Sequence, residues 1–190
     1  MNFLKAGSNS FAGLMIMLLA GMISTAILTP KVQSINNITS LPVSMQLAAV
    51  LICSLVWGSE TGIIIIIAYL TLGLFYLPIF HGGGSLGYIL TPEFGYLAGF
   101  IPSAGLIGYL SKTSSSKSLI QTTFIAIIGV ITIHIFGILS LFFGSLLSIW
   151  SETLINLITT YSITPLPWQL LLCPAVSIIT LALRKILFIK

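Results

Sequence analysis

Long apolar stretches with almost no charge recur along this chain, and they constrain its fold more than any motif does. They lie at about 11–29, 43–57, 61–80, 94–110, 119–149 and 166–184. A run of roughly 20 apolar residues crosses the roughly 30 Å hydrocarbon core of a bilayer as a helix. The ten-residue alternating segments of a membrane barrel are not the pattern here. Only 5% of the 190 residues are charged and 57% are hydrophobic, and a soluble domain of this length could not keep so much apolar surface from water. The expectation is an all-α integral membrane protein, a six-transmembrane-helix bundle forming a single membrane domain over 1–190.

The connections refine that outline. The run at 11–29 is followed by Pro30 and Lys31 rather than by a small-residue cleavage site, so it reads as a retained helix and not a signal peptide. KVQSINNITSL is polar and turn-forming and reads as the first loop. The second run is about 15 residues, about 22 Å at helical rise, which is short for a bilayer. WGSE makes a tight turn into the third run, and SKTSSSK is the clearest internal linker. The fifth run is longer than a bilayer needs, which predicts a tilt or a break near Gly137 or Gly144. Pro174 predicts a kink in the last helix.

Six spans put both termini on one side. Lys5, Lys112, Lys117, Arg184, Lys185 and Lys190 fall on that side and Lys31 on the other, so the positive-inside rule makes the termini cytoplasmic in a multi-pass cell-membrane protein. Seven basic residues spread over loops form no nucleic-acid patch. Trp57, Trp150 and Trp168 fall at span ends, as interfacial anchors do. Cys53 and Cys173 sit inside apolar runs and read as buried thiols. In this topology LPVSMQ, HGGGSLGYILTPE and TPLPWQ all face outward and converge on one mouth, as a site capturing a solute from outside requires.

At that mouth the glycines at 82, 83, 84 and 87 let the backbone take positive φ and present N–H groups to a ligand. Thr91, Pro92 and Glu93 resemble a helix start, with a hydroxyl cap, a proline and an acid at the positive end of the dipole. Ser44 follows a proline at a span start, where capping is the plain alternative to ligand contact. Gln46 is an amide at membrane depth, costly unless hydrogen-bonded, so it has a partner, either a neighbouring helix or a ligand. Gln169 carries the same argument. Glu60 and Glu93 read as helix-start charges. His81 borders the glycines, with an interfacial histidine as the plain reading, and His134 lies mid-span, where a helix-to-helix hydrogen bond is expected. Glycines 99, 105 and 108 read as packing positions.

Enzyme classes find little support. The chain has three acidic residues, all glutamates, and no His/Cys cluster at metal-ligand spacing. It has no GxxxxGK[ST] loop to cradle nucleotide phosphates. Uphill movement of a solute would need energy from a partner or an ion gradient, and no cofactor or metal is expected.

LPVSMQ followed by YLTLGLFYLPIFHGGGSLGYILTPEFGYLAGF closely resembles the signature of the BioY family, the biotin-binding S components of energy-coupling factor (ECF) transporters. The residues that carry the resemblance are Pro42, Ser44 and Gln46; Gly73, Pro78 and Phe80; Gly82 to Gly84; and Pro92, Gly95, Tyr96, Gly99 and Phe100. The resemblance implies an S-component-like bundle that binds biotin from outside, beneath its external loops, and passes it inward when docked on a membrane T component driven by two ATPase subunits. The implied ligand set is Ser44, Gln46, His81, Gly82, Gly83, Gly84, Tyr88, Tyr96 and Gln169. The implied docking face on the first helix is Ala12, Ile16 and Ala20, with Gly21 and Thr25 in another register. The family's Gly-Asp-x-x-Lys run at the start of the last helix is here Trp168, Gln169, Leu170, Leu171 and Leu172, so the acid becomes an amide and the lysine a leucine. A glutamine still offers a donor and an acceptor to a ureido ring. Another vitamin (thiamine, riboflavin, lipoate) and a non-transporting membrane assembly subunit are the alternatives.

Overall fold

The apolar runs fold as helices wherever they can bury a face or meet lipid, and they pack into one bundle. The computed structural model describes residues 3–23, 26–31, 34–40, 44–80, 83–114 and 118–187. Helix α1 spans Phe3–Met22, α2 Met45–Trp57, α3 Ser59–Phe75, α4 Phe94–Thr113 and α5 Leu119–Leu146. A short helix α6, Leu154–Ile158, continues through a π-helical turn, Thr159–Ile163, into α7, Leu166–Ile186. Counting that 33-residue stretch as one, six helices make up the bundle among the described residues. Three of them, Phe94–Thr113, Leu119–Leu146 and Leu154–Ile186, are long and apolar enough to cross a membrane, and the other three are shorter apolar helices.

The shortness of α2 has a structural reason. Every residue from Gln46 to Trp57 except Ile52 is buried, so α2 is the central stave and needs no lipid-facing stripe. The other helices pack around it through small residues. Gly108 of α4 lies against the Gly58–Ser59 backbone, Gly99 against Ile133, and Gly129 of α5 against Leu51 and Ile107. These close approaches let Ser103 Oγ donate to Gly129 O at 3.0 Å and Ser111 Oγ to Leu55 O at 3.1 Å across helices. At the tight turn between α2 and α3, Gly58 has φ 87°, with the Lys112 side chain lying over it. A side chain there would be strained by φ and blocked by Lys112.

Three expectations need correction. The segment at about 11–29 is not one helix, because α1 ends at Met22 and strand β1, Ala26–Lys31, pairs antiparallel with β2, Ser34–Ser40. Their register pairs Ile27 with Thr39 and Thr29 with Asn37, and it slips between Thr29 and Lys31, where Pro30 has no N–H to give. The β-branched residues that read as apolar span favour the extended chain once proline bars the helix. Of the tilt or break expected in the fifth run, the break is excluded, because α5 runs unbroken through Gly137, which receives the Tyr96 ring, and through Gly144, which receives Trp150. Helix α7 carries Pro174 in its interior, the position at which a kink is expected. Trp57 is buried with its Nε1 unpartnered among the described residues, not anchored at an interface, whereas Trp168 is exposed.

Candidate ligand site at one end of the bundle

Short connections turn the chain back at each end, so the start of α2, the end of α3, the loop segments 76–80 and 83–93, the start of α4 and the start of α7 share one end. The contacts bear this out. Gln46 reaches Ile79, Tyr96 reaches Ser162, and Trp150 Nε1 donates to Leu90 O at 2.7 Å. Lys112 and Arg184 lie at the opposite end, where Arg184 Nη2 donates to Ser111 Oγ at 2.9 Å.

One half of the site is built around Gln46. Its Nε2 donates to Tyr69 OH at 2.7 Å and to Ile79 O at 3.4 Å, and Tyr69 OH donates to the same carbonyl at 3.1 Å. Gly21 of α1 closes over this group, since a side chain there would meet Ile79 O and the Tyr69 hydroxyl. Beneath it, Phe80 fills the space left by Gly73 and stacks between Tyr69 and Tyr88, with ring centroids 5.5 and 4.9 Å away. Ser44 sits at the N-cap of α2 in an extended conformation, but its hydroxyl makes no capping bond.

The glycine loop is folded onto α3 rather than held open. Gly83, at φ 140°, donates its N–H to Phe80 O at 3.0 Å and accepts from Phe80 N at 2.8 Å. A Cβ on Gly84 would press into Gly73 O and Leu77 O, and Ser85 N donates to Gly73 O at 3.1 Å. The Gly83 amide is thus engaged within the chain, contrary to the expectation of a free N–H there. His81 and Gly82, like Pro42, lie outside the described residues. Tyr88 is buried and donates its hydroxyl to Glu93, and burial, reinforced by that carboxylate, pushes its phenol well above the ordinary value. The Thr91 hydroxyl turns back to Tyr88 O at 2.7 Å, so α4 begins at Phe94 with Glu93 in the capping position and not with a Thr91 cap.

The other half is a chain of four polar side chains from four elements. Tyr96 of α4 bonds Ser162 of the π-helical turn, Ser162 bonds His134 Nδ1 at 3.1 Å, and His134 Nε2 bonds Gln169 Oε1 at 2.8 Å. Tyr96 packs on Gly137 and edge-on to His134, with centroids 5.7 Å apart, and Tyr161 lies alongside at 6.4 Å. The π-helical turn, closed by Thr164 N donating to Thr159 O at 2.9 Å, widens the backbone and brings Ser162 inward. His134 thus makes the helix-to-helix bond expected of it, but it does so at the site. Tyr69, Tyr161 and Ser162 went unnoticed in the sequence. The run TTYSIT, polar within an apolar neighbourhood, was the available signal for two of them.

On α1, Gly13, Met17 and Gly21 face inward, Gly13 against Ile65 and Trp57. Phe11, Met15, Leu19 and Met22 face outward. Ala12 is exposed, whereas Ile16 and Ala20 are half-buried against the core, so this row lies on the flank between the two faces. Among the described residues no group of three or more His, Cys, Asp or Glu is placed to hold a metal.

The sequence profile of the BioY family matches residues 6–188. A protein of Lysinibacillus sphaericus named probable biotin transporter BioY is 34% identical over 93 residues, covering 49% of this chain and 47% of that protein. The biotin transporter BioY of Thermotoga maritima is 31% identical over 91 residues, 47% of this chain and 54% of that one. The chain thus spans about half the length of the curated relatives it matches. Its fold is that of a crystal structure of the S-component for biotin from an ECF-type ABC transporter, with TM-score 0.73 over 96% of this chain and 92% of that chain at 22% identity. An integral membrane protein whose profile match covers nearly all of its described residues, the chain belongs to the BioY family.

Proposed function

We propose that this protein is the biotin-capture subunit of an ECF-type transporter, binding biotin at the external face and releasing it inward when docked on a T component energised by two ATPase subunits. The observation that carries the reading is the gathering, at one end of the bundle, of two buried or half-buried carboxamides, Gln46 and Gln169, with Gly83, Tyr88 and Tyr96 at the same end. The relatives' names supply biotin as the guest.

The ligand set is Ser44, Gln46, His81, Gly82, Gly83, Gly84, Tyr88, Tyr96 and Gln169. With Lys112, Arg184 and Lys185 at the end opposite the site, the positive-inside rule turns the site outward and keeps both termini in the cytoplasm. Ala12, Ile16 and Ala20 form the docking flank on α1. The subunit performs no hydrolysis itself.

A thermal-shift panel on detergent-purified protein tests the reading with biotin, lipoate, thiamine and riboflavin. Biotin alone should raise the melting temperature, since a ligand at a hundred times its Kd adds about 2.7 kcal/mol to the folded state. A shift with another vitamin would reassign the guest. No shift with any would favour an assembly subunit whose glycines serve packing alone.

A further inference from the structure

The hydrogen-bond chain that ends at Gln169 has a direction, and that direction sets what the last helix offers a guest. Gln169 Oε1 faces His134 Nε2 at 2.8 Å. An amide oxygen only accepts, so Nε2 carries the proton. The neutral ring then leaves Nδ1 as an acceptor, which takes the Ser162 hydroxyl proton at 3.1 Å. Ser162 Oγ in turn accepts from the Tyr96 hydroxyl. Every donor in the series Tyr96, Ser162, His134 has an acceptor, and the series runs one way. Its last member has its oxygen engaged and its NH2 group without a partner among the described residues.

His134 is buried and fixed from two sides, by the Tyr96 ring edge-on at 5.7 Å and by Ser162. Turning the Gln169 amide over would move the His134 proton to Nδ1 and reverse the whole series, leaving the Tyr96 hydroxyl proton without an acceptor among the described residues. We propose that His134 is a positioning residue that locks the Gln169 carboxamide with its NH2 toward the mouth, so that α7 recognises a neutral carbonyl oxygen of the guest. A carboxylate is the poorer match. The basic residues of α4 and α7 lie in their last turns at the far end, while Glu93 and Glu152 lie close enough to Tyr161 to act on it electrostatically. In biotin the neutral carbonyl is the ureido oxygen, so this assignment rests on the biotin reading and gives its polarity at one subsite.

The test uses the full chain in detergent, titrated with biotin and with 2-iminobiotin, in which a protonated nitrogen replaces the ureido oxygen and turns the acceptor into a donor. The wild type should prefer biotin by about 10- to 100-fold, the consequence of two facing donors. Gln169→Glu keeps one oxygen for the His134 N–H and turns the other outward, so biotin should weaken about tenfold and the preference should invert toward 2-iminobiotin. His134→Phe, which frees the amide, should erode the preference without inverting it. His134→Gln, which restores a donor, should recover part of it. A purely structural role for His134 would lower stability and leave the ratio of the two affinities untouched. Equal wild-type affinities, or an unchanged ratio in Gln169→Glu, overturn the proposal while biotin binding stands. Failure of the wild type to bind biotin overturns the functional reading, and the assignment with it.

Discussion

Gln46 and Gln169 are the same residue type in the first turn of two helices at the same end of the bundle, yet their surroundings turn them opposite ways. Around Gln46 the neighbours are acceptors, the Ile79 carbonyl and the Tyr69 hydroxyl, so the NH2 group is engaged and Oε1 has no hydrogen-bond partner among the described residues. Around Gln169 the neighbour is a donor, the His134 N–H, so the oxygen is engaged and the NH2 group is left. A carboxamide carries both functions, and which one it shows is decided by whatever packs against its other half. An acceptor on α2 and a donor on α7 are together what a cyclic urea, with N–H groups and a carbonyl, can satisfy.

The most severe way to break the comparison is to fill the spaces on which each side rests. Gly73→Leu should displace Phe80 from beneath Gln46, and Gly137→Leu should displace the Tyr96 ring that buttresses His134. Each should cost about 3 kcal/mol of stability, at the upper end of overpacking effects, read as a fall in detergent melting temperature. A neutral result at either would show that its half yields to the added side chain.

The paired Gln→Leu substitutions sharpen the contrast. Gln169→Leu leaves the His134 N–H without its acceptor and should cost about 1–3 kcal/mol. In Gln46→Leu, Ile79 O still receives the Tyr69 hydroxyl, so the cost should be about 1 kcal/mol or less. Both should weaken biotin binding by about 1–3 kcal/mol, measured by titration calorimetry. Equal stability losses would mean that the two halves are held alike. Tyr69→Phe should cost about 1 kcal/mol of stability, because Gln46 loses its shorter bond and keeps the longer one to Ile79 O. Glu93→Gln should have the least effect, under about 0.5 kcal/mol, since an amide oxygen still accepts the Tyr88 hydroxyl. A larger loss would make the carboxylate charge part of the site.

Much of this was legible in the residues. Gln46 had to be bonded at membrane depth, and it is. Glycines 99 and 108 looked like packing positions, and each lies against backbone of a neighbouring helix. The segments carrying Gln46, Gly83, Tyr96 and Gln169 had to share one end because helices joined by short turns alternate in direction. What failed were inferences from local chemistry about groups whose partners are distant. The Thr91 hydroxyl had a nearer acceptor than the helix start, the Gly83 N–H was taken by Phe80, and Pro30 turned a stretch of span into a paired strand.

The sequence by itself determined that the chain is a membrane bundle and which of its ends gathers polar and glycine-rich segments, because hydropathy and alternation are sums over neighbouring residues. The tertiary structure alone decided which half of each glutamine is engaged within the chain and which is left over. That depends on partners 23 and 33 residues away for Gln46 and 35 away for Gln169, and hydrogen-bond direction exists only once those groups meet.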